Sequence, residues 1–185
     1  MPSNHGTGSS EIVFKIMTKA FPSIMLIGMA GVGKSTVGKL LARNLGYRFI
    51  DTDRRLAEDA HIALAELIKQ QGEDVFLRLE DHYIRDIDYD RVVVAPGGSI
   101  AYHAETVAEI RQKCRVIYLK DDISAIKRRV PNIASRGVIG MSEGMTFEDL
   151  YAQRQPLYEK MADVVISIQS RSVTQIVRQI ISLVK

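Results

Sequence analysis

Five short runs rich in β-branched residues, at 24–27, 47–50, 92–95, 116–119 and 164–168, punctuate this chain of 185 residues. Segments with apolar residues at helical spacing separate them. Val92-Val93-Val94 is apolar without alternation, so both of its faces need cover, as in a parallel strand packed between helices. Between the first two runs, Val37, Leu40, Leu41 and Leu45 share one helical face, and Gly46 is placed to end that helix. Further helices are expected near 63–71, 73–88, 104–113, 121–129, 147–160 and 171–184. Strands alternating with helices imply an α/β fold with right-handed crossovers. The length suits one domain over residues 23–185. Residues 1–22 read as an N-terminal extension, polar and Gly/Ser-rich before a short helix near Pro22.

Charge and composition exclude several classes. Twenty-five Lys and Arg against 22 Asp and Glu leave a formal charge of +3. The one dense basic cluster, Lys127-Arg128-Arg129, is too short for a nucleic-acid-binding tract. The longest apolar stretch, 24–32, falls far short of the ~18 residues that a membrane span requires. Lys15 interrupts the apolar patch Ile12-Val13-Phe14, so no signal peptide is expected. Cys114 is the single cysteine, which rules out an intramolecular disulfide and suits a reducing, cytoplasmic setting.

The first run leads into Gly28-Met29-Ala30-Gly31-Val32-Gly33-Lys34-Ser35-Thr36. This is the G-x-x-x-x-G-K-[ST] pattern of a P-loop, set between a strand and an amphipathic helix. Its glycines let backbone N–H groups turn inward around a phosphate, and the helix N-terminus favours negative charge there. Lys34 has the reach for the β- and γ-phosphates, and the Ser35 hydroxyl is a ligand for Mg²⁺. The segments D-x-x-G and N-K-x-D that a GTPase would carry are missing. Small size and a bare P-loop favour a kinase acting on a small molecule.

The second run ends at Asp51-Thr52-Asp53. Alternation at a strand tip would put both carboxylates on one side, at the carboxyl edge of the sheet where such folds bind ligands. One would hold a Mg²⁺-bound water and the other would orient and deprotonate a hydroxyl. A helix cap is the plainer explanation for an Asp at this point.

Taken together, these residues resemble the shikimate kinases, small P-loop kinases related in fold to the nucleoside monophosphate kinases. The resemblance runs from about residue 24 to the C-terminus. It rests on the P-loop, on Asp51-Thr52-Asp53, and on Gly72-Glu73 with Phe76 and Glu80 at family spacing. It continues through Pro96-Gly97-Gly98, Arg129, Arg136 and Arg154-Gln155-Pro156-Leu157-Tyr158. The resemblance implies a three-layer fold, with a five-stranded parallel sheet in the order 2-3-1-4-5 and a lid near 131–145. It implies transfer of the γ-phosphoryl of ATP to a hydroxyl of shikimate, with Mg²⁺ as cofactor.

By the same resemblance Gly28, Ala30, Gly31, Val32, Gly33, Lys34, Ser35 and Thr36 hold the nucleotide, with Arg129 against the adenine. Ser35 and Asp51 organise Mg²⁺. Lys34, Asp53 and Arg136 are the catalytic set, and Asp53, Gly97, Gly98 and Arg154 contact the acceptor. The partner is a small molecule, without nucleic acid or membrane, and a monomer is expected.

Two positions depart from the family pattern. Leu77 stands where an arginine would share the acceptor carboxylate with Arg154, and Ser99 stands at the third glycine of the turn. Arg78 is one residue on, roughly 100° around a helix, and would point elsewhere. Loss of one charge-assisted contact costs ~1.5–3 kcal/mol. An acceptor other than shikimate, or a nucleotide-binding regulatory protein without catalysis, are the alternative readings. Cys114 reads as a buried small hydrophobe, and His5, His61, His82 and His103 lack metal-ligand spacing. His103 is the histidine closest to the glycine turn.

Overall fold

The computed structural model describes residues 23–129 and 138–184. The expected helix within 1–22, the first part of the 131–145 lid segment and Arg136 lie outside the described residues.

Five strands form one parallel sheet in the order β2-β3-β1-β4-β5. They are β1 (Ser23–Ile27), β2 (Arg48–Asp51), β3 (Val92–Ala95), β4 (Cys114–Lys120) and β5 (Val164–Ser167). The register sets Ile24 against Val93 and Met25 against Val116, while Asp51 faces Ala95 at the carboxyl edge. β1 and β3 bury every residue, as their unbroken apolar sequences require.

The helices are α1 (Lys34–Leu45), α2 (Thr52–Ala60), α3 (Leu64–Gln71), α4 (Glu73–Arg85), α5 (Ala104–Ile110), α6 (Ile123–Arg129), α7 (Phe147–Met161) and α8 (Val173–Val184). A 3₁₀ turn covers Gly98–Tyr102. Helix α1 turns Val37 and Leu41 into the core and ends at Gly46 with φ 68°, whose N–H donates to the Ala42 carbonyl. A Cβ on Gly38 would stand 2.5 Å from the Phe49 ring, so the missing side chain lets α1 press close to β2. Helix α8 packs against α1 through Ile176, Val177 and Ile180. A second, smaller apolar cluster joins Leu56 of α2, Leu67 of α3 and Phe76 of α4 to Ile139.

Some boundaries differ from expectation. Helix α2 was not among the expected helices, because its sequence is dominated by charged residues and only Thr52 and Leu56 are buried. β2 stops at Asp51, which caps α2, so Asp53 sits in the first turn of that helix and not on a strand tip. β4 begins at Cys114, which places that thiol inside the sheet with no exposed surface. Burial pushes the thiol up to about 12.

Gly28 closes β1 at φ 141°, and a Cβ there would lie 2.7 Å from the backbone oxygen of Leu119. Gly28→Ala therefore strains the backbone and forces β1 from β4, at a cost of ~2 kcal/mol. The expected result is a fall in Tm of about 5 °C by calorimetry. An unchanged Tm would contradict this packing.

Candidate active site

The carboxyl edge of the sheet opens into a cavity of about 500 Å³. Its floor is the loop between β1 and α1, where Ala30, Gly31, Gly33, Lys34, Ser35 and Thr36 face the space. Helix α1 starts at Gly33 with φ 109°, with no side-chain cap and no acidic residue in its first turn. The N–H groups and dipole of that turn are thus directed at the cavity, as an anion requires. Val32 differs from its expected place: its side chain is in the core and its N–H donates to the Met29 carbonyl at 3.2 Å. Gly28 does not line the cavity, and its contribution is the turn out of β1.

Lys34 is nearly buried, its Nζ donating to the carbonyls of Gly28 at 2.8 Å and Met29 at 3.1 Å. Burial lowers its pKa to about 8, against the opposing pull of Asp53 and Asp51. Ser35 Oγ donates to Asp51 Oδ2 at 2.6 Å, and Asp51 Oδ1 accepts the N–H of Arg54 at 3.2 Å. Asp51 is thus the cap of α2 and a cavity carboxylate at once.

Asp53 projects from the first turn of α2 into the same space. Burial pushes its carboxyl up to about 7, the nearby Glu80 adds to the rise, and Lys34 counters it. A Cβ on Gly97 would be 2.5 Å from Asp53 Oδ1 and 2.9 Å from Glu80 Oε1, so that glycine keeps the corner open for two carboxylates.

Glu80 is fully buried. Ser99 Oγ donates to one of its oxygens at 2.7 Å, and His103 Nε2 lies 3.0 Å from the other. The hydroxyl at position 99 therefore turns to Glu80. His103 does not line the cavity; its Nδ1 is 3.5 Å from Asp81 Oδ1. Nothing in the residue pattern singled out this network beyond the spacing of Glu80 from Gly72-Glu73.

The far wall carries Arg154, 1% exposed despite the surface position that its sequence alone allowed. Its Nη2 donates to the Ile139 carbonyl at 2.6 Å, and Gly98 lies beside its Nη1. Leu64, Phe76, Val138 and Ile139 supply the apolar surface at this end. Leu77 packs with the smaller apolar cluster, and Arg54, Arg55 and Arg78 are exposed and do not line the cavity. Arg129 also lines the cavity, its Nη2 donating to Asp121 at 2.6 Å.

A P-loop at the edge of a 2-3-1-4-5 parallel sheet, facing a carboxylate and a buried arginine across one cavity, defines a small P-loop phosphotransferase. The family model described as "Shikimate kinase" matches residues 30–185. Shikimate kinase 2 of Photorhabdus laumondii is 32% identical over 163 residues, covering 85% of this chain and 94% of that relative. Shikimate kinase of Xylella fastidiosa is 29% identical over 162 residues, covering 86% and 90% respectively. The solved shikimate kinase from Acinetobacter baumannii, in complex with shikimate, superimposes with a TM-score of 0.79 at 24% identity, over 92% of this chain and 96% of that one. The chain belongs to the shikimate kinase family.

Two stability measurements follow from the carboxylates. Ser99→Ala leaves a buried oxygen of Glu80 without its hydroxyl partner, a loss of ~1–3 kcal/mol, and a Tm lower by several degrees is expected. For Asp53 the folded state holds its proton more tightly than the unfolded chain. Its contribution to stability is therefore present at acid pH and fades as pH rises from about 4 to about 7. Asp53→Asn removes that dependence. Melting at pH 8 should find the variant more stable than the wild type, with the gap closing toward pH 4.

Proposed function

We propose that the chain transfers the γ-phosphoryl group of ATP to a hydroxyl of shikimate. The observation that carries this reading is the convergence of Lys34, Asp53 and Arg154 on one cavity. A phosphate-binding cation, a base and a carboxylate-binding cation are there brought within reach of one small acceptor. Gly31, Gly33 and the first turn of α1 hold the phosphates, with Thr36 at the rim and Arg129 beside the base. Lys34 offsets charge on the transferring group. Asp53 accepts the proton of the attacking hydroxyl, and a pKa of about 7 suits a base working near neutrality. Arg154 binds the acceptor carboxylate and Gly98 gives the acceptor room, since a Cβ there would press on Arg154 Nη1 at 3.1 Å.

The donor set also fits Mg²⁺. Ser35 Oγ and Asp51 Oδ2 are hard oxygen ligands 2.6 Å apart at the phosphate end. Among the described residues there is no group of three or more His, Cys, Asp or Glu that would form an all-protein cage. Mg²⁺ characteristically binds through one or two protein oxygens together with substrate phosphates. Held by Ser35 and Asp51, it would neutralise charge on the bound phosphates.

One observation favours a second reading with a different hydroxylated compound as acceptor: Leu77 packs on an apolar cluster where an arginine would have carried charge. ADP release coupled to NADH oxidation, with Mg-ATP and with or without shikimate, separates the two. Shikimate-dependent turnover is expected, lost on chelation of Mg²⁺ and lowered ~10²–10⁴-fold in Asp53→Asn. ATP binding without shikimate-dependent ADP release would sink shikimate as acceptor.

A further inference from the structure

The plane of the Arg154 guanidinium has to be held by its neighbours, because a buried cation with one aligned contact would pivot. Three groups meet it. The Ile139 carbonyl accepts from Nη2 at 2.6 Å. Tyr158 stands beside it at Gly98, where its hydroxyl donates to the Gly98 carbonyl at 2.6 Å. The third is Tyr102, at the end of the 3₁₀ turn that follows the glycines. Its ring centroid lies 4.9 Å from the guanidinium carbon, and its hydroxyl accepts from Nε at 3.3 Å.

The surroundings of Tyr102 are built for this contact. Gly140 has φ 75°, and a Cβ there would collide with the Tyr102 hydroxyl. The ring packs on the same small apolar cluster as Leu77. Leu77 and Tyr102 thus belong to one apolar wall, and the Tyr102 side of that wall is stacked on the guanidinium. A cation stacked on an aromatic face in a desolvated site is held both in position and in plane. Its remaining N–H groups then point along fixed directions, as bidentate or end-on recognition of a carboxylate demands.

We propose that Tyr102 is a positioning residue for the acceptor carboxylate, acting through Arg154 by fixing the orientation of its guanidinium. This rests on the reading of Arg154 as the acceptor contact. Tyr102 is not among the described residues that line the cavity, so it acts on the acceptor through Arg154.

The test compares wild type, Tyr102→Phe and Tyr102→Ala, each with shikimate and with its methyl ester, which lacks the carboxylate charge. For shikimate, KM is expected to rise ~10-fold in Tyr102→Ala, the loss of a buried cation–π contact. It should rise only a few-fold in Tyr102→Phe, which keeps the ring and loses the Nε hydrogen bond. KM for ATP should stay within about twofold of the wild type in both. The ester-to-acid ratio of KM is expected to be large in the wild type and to shrink in Tyr102→Ala. A purely structural role for Tyr102 would leave that ratio unchanged while lowering Tm or shifting both KM values together, and would overturn the inference. Wild-type turnover of shikimate with a normal ratio in Tyr102→Ala sinks the inference alone. A wild type that turns over neither compound sinks the acceptor reading and the inference with it.

Discussion

β1 is paired in parallel with β3 on one side and β4 on the other, and the chemistry depends on that arrangement. Parallel strands discharge their carboxyl ends at a single edge, so the loops that leave them meet there. The loop after β1 provides the inward-facing N–H groups and Lys34, while β2 delivers Asp51 and, one helical turn in, Asp53. β3 ends at Ala95 and passes into Pro96, Gly97 and Gly98. The strands themselves contribute little chemistry. The full burial of β1 and β3 fixes the edge firmly enough for the segments that leave it to act as rigid mounts.

The second constraint is electrostatic. Asp53 and Glu80 approach the same glycine, and Lys34 is close enough to favour ionisation of Asp53. Burial works against every charge in this corner. The protein answers differently at each position. Glu80 is given a hydroxyl and an imidazole, Lys34 is given two carbonyls, and Asp53 is left with an elevated affinity for its proton. A group that is not fully satisfied by its neighbours is the one available to exchange a proton with a bound molecule. Negative phosphate beside Lys34 would favour its charged form, so nucleotide binding and proton uptake are linked at this residue.

The sheet order and the P-loop were legible from local pattern and family resemblance, since a fully apolar strand and a glycine-rich turn each have few structural solutions. Helix α2 was harder to see because its hydrophobic face amounts to Leu56 and a buried Thr52. Alternation at a strand tip would set the paired aspartates side by side, whereas Asp51 ends the strand as the helix cap and Asp53 stands in the helix. They reach the same cavity by a different geometry. Ser99 and His103 were visible as residues near the turn, but their common partner Glu80 is distant in sequence, on α4. No periodicity encodes such a contact. Tyr102 gave no signal at all, because its partner Arg154 is 52 residues away and the pair forms only when α7 folds over the 3₁₀ turn. Long-range side-chain pairs of this kind are decided by packing, which the chain's local preferences do not reveal.

The lone cysteine has a practical consequence. Cys114 is sealed in β4 with its thiol held protonated far above neutral pH, and the chain contains no other sulfhydryl. Reagents that attack thiolates find no target while the sheet is intact. The native protein is accordingly a blank background for spectroscopic labelling, in which a cysteine introduced on the surface carries the whole signal. Conversely, the rate at which Cys114 itself becomes modified counts the openings of the central sheet, giving a built-in clock for the unfolding of this enzyme.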